Sequence, residues 1–278
     1  MTDAMNLAVL GNSHLAAAHL GWEAIADEHQ EVQATFFGAP WDMMKDLSLD
    51  GARLVPGTGR LRKRLEKTSG GHAFVDVPVF DAFVLYGLQF GVARLLQVYR
   101  TFRPMSFEWS ETLEDLAPMR RVTAPVQRIS ERLFDRTVLA ALGDSLALRI
   151  AGMLRQVTDA PVLVVSEPGF SERVLDSGDW DGILGSEDTA RLATRFRKLS
   201  HRACPEGVQL LFPRDSLTAH GIFTNRTFAS DETEEGKIDN THTGALYGAE
   251  MMRHAISAIR RDNAVDDERK SDPETLLA

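Results

Sequence analysis

Five short apolar runs, each ended by a glycine, a proline or a polar residue, constrain the fold of this chain more than any other feature. They alternate with segments in which apolar residues recur every three or four positions, the spacing of an amphipathic helix. Strands that alternate with helices are typical of a parallel sheet covered on both faces. Because the runs contain few polar residues, each is predicted to be a central strand buried on both faces. The runs are residues 6–10, 31–37, 81–86, 161–165 and 207–212.

The predicted fold class is α/β: a three-layer α/β/α sandwich around a five-stranded parallel sheet in the order 2-1-3-4-5. Helical spacing of apolar residues predicts two flanking helices, at residues 15–25 and 246–259. Residues at about 92–157, between the third and fourth strands, are mostly helical in period and longer than one crossover requires, so we expect a helical insertion. Residues 1–263 are expected to form a single domain, and the polar residues 264–278 a flexible tail.

Charge and composition exclude several classes of function. The chain has 278 residues, with 31 basic and 40 acidic side chains and a net charge of −9. Long-range repulsion disfavours nucleic acids and anionic membranes as partners, so we expect a small-molecule or carbohydrate substrate. The only cysteine, Cys204, forbids an internal disulfide and a cysteine-based zinc site, which suits a reducing compartment. The first residues show no secretory pattern, and no run approaches the roughly 20 apolar residues of a membrane span, so the expected location is the cytoplasm.

The ends of the first three predicted strands should meet in one crevice, because the strand order reverses there. Ser13 stands at a strand-to-helix turn, where its hydroxyl can be exposed as a nucleophile. The backbone amides of Ser13 and Gly38 and the side-chain amide of Gln89 can donate three hydrogen bonds to an oxyanion. The neighbouring residues of these three are predicted to contact the substrate; they are Asn12, His14 and Gly87.

A serine nucleophile needs a base. Asp239 and His242 come just before the last predicted helix. Within a single turn, the carboxylate can bind one imidazole nitrogen and leave the other for the Ser13 hydroxyl. In the predicted order the fifth strand lies three strand spacings from the first, roughly 14 Å at about 4.8 Å per spacing. About five extended residues span this distance. The connection at residues 214–237 is far longer, so His242 can reach Ser13.

In their order along the chain, these motifs resemble the four conserved blocks of the SGNH/GDSL hydrolase superfamily. The matching residues are Gly11-Asn12-Ser13-His14, Gly38, Gly87-Leu88-Gln89 and Asp239-x-x-His242. The resemblance implies a flavodoxin-like sheet and a catalytic triad of Ser13, His242 and Asp239 that acts on esters. It also implies an oxyanion hole formed by the backbone amides of Ser13 and Gly38 and by the side chain of Gln89 in the third block. Two residues depart from the family pattern: Asn12 replaces its usual aspartate, and Gln89 replaces its block-three asparagine.

A second serine stands in the literal sequence Gly-Asp-Ser-Leu at residues 143–146. This motif lies within a helical pattern over residues 138–154, and only two strand-like runs follow it before Asp239. Two strands are too few for the sheet that the nucleophile should begin. Ser13 is therefore predicted to be the nucleophile rather than Ser145.

Several of these residues also have a purely structural interpretation. Ser13 can be the N-cap of the following helix, Gly38 a simple strand end, and Gln89 a helix cap. Residues 51–71, rich in glycine and arginine, are predicted to be a loop or small hairpin. The basic stretch within it can bind a phosphate or an acidic sugar, although a solvated face is the commoner role of such a stretch. Its cations are Arg60, Arg62, Lys63, Arg64 and Lys67.

The predicted function is hydrolysis of an ester, for which the resemblance suggests an O-acetyl group on a carbohydrate. No metal-binding motif such as His-Glu-x-x-His is present, so neither a metal nor another cofactor is predicted. Two alternatives remain open. One is acyl transfer to a sugar hydroxyl by the same triad. The other is a glycan-binding or polysaccharide-biosynthesis protein without catalysis, which Gln89 in place of asparagine motivates.

Overall fold

A computed structural model describes residues 4–106, 127–177, 186–230 and 239–271. Its centre is a five-stranded parallel sheet in the order β5-β4-β3-β1-β2, which confirms the predicted strand order. The strands are β1 (Met5–Gly11), β2 (Val32–Gly38), β3 (Ala82–Gly91), β4 (Val162–Glu167) and β5 (Val208–Leu211). In the register of the sheet, Gly11 at the end of β1 pairs with Gly38 of β2 and Tyr86 of β3. The ends of the first three strands, which were predicted to meet in one crevice, are therefore neighbours.

Helices cover both faces of the sheet, so the predicted three-layer sandwich is confirmed. The helices are α1 (Leu15–Ile25), α2 (Gly59–Thr68), α3 (Val92–Thr101), α4 (Glu131–Gly143), α5 (Leu146–Leu154), α6 (Ser186–Ala203) and α7 (Ala245–Ser271). Helices α1 and α7 pack on one face, and α2 to α6 belong to the core on the other. The short 3₁₀ helices are Ala26–Glu28, Met43–Asp46, Val77–Val79, Glu172–Ser177, Asp215–Leu217 and Arg226–Phe228.

The continuous apolar character of the strands follows from this layering. In β1, Leu7 and Val9 join the core beneath α1 and α7, whereas Ala8 and Leu10 join the core on the opposite face. All four side chains are fully buried, because successive residues of a strand point to opposite faces. A half-exposed sheet would instead have required polar residues at alternate positions.

Smaller elements surround the sheet. Residues 47–76 include a three-stranded antiparallel sheet of Leu47–Asp50, Arg53–Pro56 and Val75–Asp76. The loop predicted over residues 51–71 contains α2, so that prediction was wrong for its second half. Thr58 Oγ1 caps α2 by accepting a hydrogen bond from the backbone N–H of Leu61, and Leu61 and Leu65 are buried one turn apart. The remaining strands are Phe102–Pro104 with Gln127–Ile129, and Thr218–Ala219 with Phe223–Thr224.

The predicted insertion at residues 92–157 contains α3, α4 and α5, and its residues 107–126 lie outside the described part of the chain. Helix α7 continues to Ser271, beyond the expected domain boundary at residue 263, and residues 272–278 of the predicted tail are not described. Within the described residues, no single helix has the length and apolar character of a membrane span; α4 and α5 meet this criterion only together, with a bend of 61° between them.

Helices α1 and α7 pack closely where each carries a glycine. A Cβ atom on Gly21 would overlap the backbone of Gly248 and Ala249, and one on Gly248 would overlap the carbonyl group of Ala17. The absence of side chains at this crossing therefore allows the two backbones to approach. Because α1 begins just after Ser13 and α7 begins just after His242, the crossing also fixes the relative position of the two helix starts.

Candidate active site

Ser13 lies in the turn between β1 and α1, and its residue is exposed. The residues on either side, Asn12 and His14, are buried. Helix α1 has no side-chain cap, and its first turn is closed by a backbone hydrogen bond from the N–H of Leu15 to the carbonyl of Asn12. The Ser13 hydroxyl makes no hydrogen bond with any residue that the structure describes. Helix capping therefore does not account for a serine at this position.

Asp239 and His242 form a hydrogen-bonded pair. The Asp239 Oδ2 atom lies 2.8 Å from His242 Nδ1, and Oδ1 accepts the backbone N–H groups of Thr241 and His242. Burial disfavours the charged carboxylate, but the two amides and the imidazole outweigh it and hold the pKa of Asp239 below its ordinary value. This pairing occupies Nδ1 and leaves Nε2 of His242 for another group.

His242 lies beside the turn that carries Ser13. The centres of the His242 and His14 rings are 5.2 Å apart, with the ring planes tilted by 44°. Backbone hydrogen bonds hold the His242 segment in place: its carbonyl accepts the N–H of Ser230, and the N–H of Gly244 binds the carbonyl of Phe228. The imidazole is thus close to the residue that follows the predicted nucleophile, at the same edge of the sheet.

Gly38 ends β2 next to Gly11. Its N–H donates a hydrogen bond of 2.9 Å to Thr68 Oγ1 at the end of α2. A Cβ atom on Gly38 would collide with the side chain of Leu15, so close packing also favours glycine here. In this structure, the backbone amide that the sequence assigned to the oxyanion hole binds the hydroxyl of Thr68.

The segment Gly87-Leu88-Gln89 has a left-handed backbone, with φ values of 75°, 55° and 64°. At Gly87, a Cβ atom would lie 3.1 Å from Asn12 Oδ1, which favours glycine beside the Ser13 turn. The Gln89 side chain instead turns toward α3, where its Oε1 accepts a hydrogen bond of 2.8 Å from Arg94 Nη2. Gln89 lines a cavity with Arg94 and Glu167, different from the one that Ser13 and Gly38 line. The structure does not bring its amide to the other two predicted oxyanion donors.

Glu167 is a site residue that the sequence reasoning missed. It ends β4, and its Oε1 accepts hydrogen bonds from Asn12 Nδ2 at 2.8 Å and from the backbone N–H of Gln89 at 2.6 Å. The same oxygen is 4.0 Å from His14 Nε2. Glu167 therefore joins the turn after β1 to the bend at the end of β3. The sequence feature that could have identified Glu167 is its position two residues after the fourth apolar run, at the same edge of the sheet as Ser13.

His14 packs between these groups. Burial lowers the pKa of its imidazole, Glu167 and Asp239 oppose that shift, and His242 adds to it. Its Nδ1 atom is buried without a hydrogen-bond partner among the described residues. These contacts favour the neutral form of His14 beside the Asp239–His242 pair.

A cavity of about 550 Å³ opens beside Ser13, between α1 and the end of α2. Ser13 and Gly38 contribute to its lining, and three further polar side chains come from α2. They are Arg64, Lys67 and Thr68. Most of the other lining residues are apolar and include Leu15, Leu20, Phe36, Ala39 and Pro40. This cavity has the size of a small-ligand site.

Ser145, the serine of the literal Gly-Asp-Ser-Leu sequence, is fully buried. It is the N-cap of α5, where its Oγ accepts the backbone N–H of Leu148 at 3.4 Å. A structural role therefore accounts for this serine. Among the described residues, no group of three or more His, Cys, Asp or Glu side chains has the arrangement of a metal site.

No protein-family model matches the sequence, and no curated protein does at a significant level. Two solved structures show a distant similarity to this chain. One is the lipase Lip_vut3 from a goat rumen metagenome, with 12% identity, a TM-score of 0.38 and coverage of 91% of this chain and 97% of that chain. The other is a carbohydrate esterase family 2 enzyme with a carbohydrate-binding domain from Corynascus thermopiles (Myceliophthora fergusii), with 12% identity, a TM-score of 0.39 and coverage of 93% of this chain and 68% of that chain. At these identities and TM-scores, neither likeness supports a conclusion about this chain.

The lowered pKa of Asp239 predicts how stability changes with pH. Because its folded-state pKa lies below the ordinary value of 3.8, ionised Asp239 stabilises the native state above that pH, and this contribution is lost as the pH falls through the folded-state pKa. We expect Asp239→Asn to lower the free energy of unfolding at pH 7 and to differ less from the native protein at pH 3. Urea unfolding at pH 7, 5, 4 and 3 measures this difference.

Asp144→Asn is a matched control, because Asp144 is exposed and its carboxylate has no hydrogen bond or ion pair among the described residues. An Asp239→Asn effect that stays constant over this pH range, or that Asp144→Asn reproduces, would show that the carboxylate is not stabilised by its neighbours.

Proposed function

We propose that this protein is a serine hydrolase that cleaves esters, with Ser13 as nucleophile, His242 as general base and Asp239 as the residue that orients the imidazole. The observation that carries the proposal is the 2.8 Å hydrogen bond between Asp239 and His242 beside an exposed serine with no capping role. This combination has the parts of a catalytic triad: a nucleophile, a base and a group that fixes the tautomer of the base. The motif order along the chain, which resembles that of the SGNH/GDSL hydrolases, supports the same assignment.

In the proposed reaction, His242 Nε2 accepts the Ser13 proton as Ser13 Oγ attacks the ester carbonyl carbon. The imidazolium then donates this proton to the leaving alcohol, which gives an acyl-serine. Water, deprotonated by the same nitrogen, attacks the acyl-serine; the bond between Ser13 Oγ and the acyl carbon breaks, the imidazolium returns its proton to Ser13 Oγ, and the acid is released. Asp239 stabilises the positive imidazolium in both halves of the reaction. The Ser13 hydroxyl must approach Nε2 for the first step, a contact that commonly tightens when substrate binds.

The backbone amides of Ser13 and Gly38 are the proposed donors to the oxyanion. For Gly38, the oxyanion takes the place of the Thr68 hydroxyl as hydrogen-bond acceptor. Gln89 is held by Arg94 and supplies no third donor in this arrangement. Since one such donor contributes on the order of 3 kcal/mol to transition-state stabilisation, we expect a slower enzyme than one with three donors.

The proposed substrate is an acetyl ester of a carbohydrate. The cavity beside Ser13 is far larger than an acetyl group, so it has room for an alcohol part of the size of a sugar. The exposure of Ser13 leaves the acyl-serine open to water, which favours hydrolysis over acyl transfer to a sugar hydroxyl. One alternative remains, a glycan-binding protein without catalysis. It is supported by two contacts that occupy predicted oxyanion donors: Gln89 binds Arg94, and the Gly38 amide binds Thr68.

Labelling with a fluorophosphonate tests the proposal, because this reagent forms a covalent bond with an activated serine. We expect a single adduct on the peptide that contains Ser13, located by mass spectrometry. The adduct should persist in Ser145→Ala and disappear in Ser13→Ala. An adduct on Ser145, or no adduct on any serine of the native protein, would refute the assignment of Ser13, and the second outcome would favour the binding protein. Adding a sugar acceptor to an ester assay then separates hydrolysis from acyl transfer.

A further inference from the structure

The cavity beside Ser13 contains two cations that the proposed ester chemistry does not use. Arg64 and Lys67 lie three residues apart on α2, and both line the cavity. Neither forms an ion pair with a carboxylate among the described residues. No aspartate or glutamate belongs to the described lining, so the charge of the two cations is not neutralised within the cavity.

The position of these cations is notable in a chain of net charge −9. Helix α2 carries five basic residues and only one acidic residue, Glu66. Two of the cations, Arg60 and Arg62, lie in the first turn, where the positive end of the helix dipole disfavours them. Lys67 lies in the last turn, where the dipole favours a cation, but helix stability does not explain Arg60 and Arg62. A local excess of positive charge beside a cavity attracts anions from solution even when the whole protein is acidic.

The size of the cavity indicates which part of a substrate reaches these cations. An acetyl group fills only a small part of 550 Å³. Because Ser13 lines the cavity, an ester whose carbonyl carbon is at Ser13 can place its alcohol part against Arg64 and Lys67. The apolar lining from Leu15 and Phe36 contacts the uncharged part of the same group.

We propose that the cavity selects esters whose alcohol part carries a carboxylate or phosphate group, bound by Arg64 and Lys67. This inference rests on the proposed hydrolase function for the location of the reacting carbonyl. Arginine and lysine form charge-assisted hydrogen bonds with both types of anion. The expected ligand is therefore an acetylated alcohol that carries an anionic group at its far end. A test must compare a carboxylate with a phosphate in this position.

A kinetic experiment uses three acetyl esters of similar shape: 4-acetoxybenzoate, 4-acetoxyphenyl phosphate and the neutral methyl 4-acetoxybenzoate. For the native protein, we expect at least one anionic ester to have a kcat/KM at least tenfold above that of the neutral ester. The double variant Arg64→Ala/Lys67→Ala should reduce this ratio at least tenfold. The matched control is Arg62→Ala/Lys63→Ala, which removes the same charge from α2 at residues outside the cavity lining and should keep the ratio within threefold. Which anionic ester is preferred distinguishes carboxylate from phosphate.

Equilibrium binding keeps this inference separate from the hydrolase proposal. The amide analogues 4-acetamidobenzoate, 4-acetamidophenyl phosphate and methyl 4-acetamidobenzoate resist hydrolysis, and their dissociation constants are measured by NMR titration. Tighter binding of an anionic analogue that Arg64→Ala/Lys67→Ala abolishes supports the cationic site, whether or not Ser13 reacts with fluorophosphonate. Equal binding of the anionic and neutral analogues, or an equal effect of the two double variants, overturns it. If the native protein is not labelled by the fluorophosphonate but still binds the anionic analogue, only the hydrolase proposal is refuted.

Discussion

We expect Ser13→Ala to lower the kcat/KM of the proposed ester hydrolysis by roughly 10⁴- to 10⁶-fold, the loss that follows when the nucleophile of a triad is removed. Alanine cannot form the acyl intermediate, and only the amide donors and substrate binding remain. The Ser13 hydroxyl makes no hydrogen bond with a described residue, so its removal leaves the fold intact. Steady-state kinetics on 4-nitrophenyl acetate measure the rate, and urea unfolding verifies that the free energy of unfolding changes by less than about 0.5 kcal/mol.

The proposed triad also predicts how variants combine. His242→Ala should reduce the rate about as much as Ser13→Ala, and the double variant should be no slower than either, because the two residues act as a unit. Ser145→Ala serves as the comparison: it removes a helix cap worth about 1 kcal/mol of stability but no catalytic group. Full activity in Ser13→Ala, or additive losses for Ser13 and His242, would contradict the proposed reaction.

Gly248→Ala should destabilise the protein by about 3 kcal/mol or more, the upper range for overpacking a well-filled core. The added methyl group overlaps the carbonyl group of Ala17, which belongs to the backbone of α1 and cannot rotate aside. The helices must separate, and the buried side chains of Tyr247 and Met251 lose contacts as they do. Urea unfolding followed by circular dichroism gives the change in the free energy of unfolding.

Gly152→Ala is the matched control. Gly152 lies within α5, and a Cβ atom there meets nothing within 4 Å. Alanine should therefore stabilise this helix by about 0.5–1 kcal/mol, since it has the higher helix propensity. If Gly248→Ala proved neutral or stabilising as well, the two helices would have to lie further apart than the crossing at Gly21 and Gly248 requires.

The sheet could be predicted from sequence because its physical basis is local. A strand buried on both faces must be apolar along its length, as Leu7 to Leu10 show, and a following glycine or turn marks its end. The pairing of Asp239 with His242 was predictable for the same reason, since one turn of chain brings the two side chains together.

The residues that escaped prediction depend on contacts between distant segments. Glu167 lies 155 positions from Asn12, and its role appears only when β4 is placed beside β3. The orientation of the Gln89 side chain depends on its hydrogen bond with Arg94 and on a left-handed backbone, which the sequence Gly-Leu-Gln does not predict. Helix α2 was not predicted because the glycines of residues 51–71 and the arginines of the helix outweighed the signal of the buried pair Leu61 and Leu65.

The glycine crossing of α1 and α7 has a consequence for the order of events during biosynthesis. The turn with Ser13 leaves the ribosome before the segment with Asp239 and His242, and α7 follows that segment. A nascent chain that ends before Gly244 contains the serine without a docked imidazole beside it. Ribosome-bound intermediates are thus expected to remain unreactive toward active-site probes, and reactivity should appear only when α7 has closed against α1.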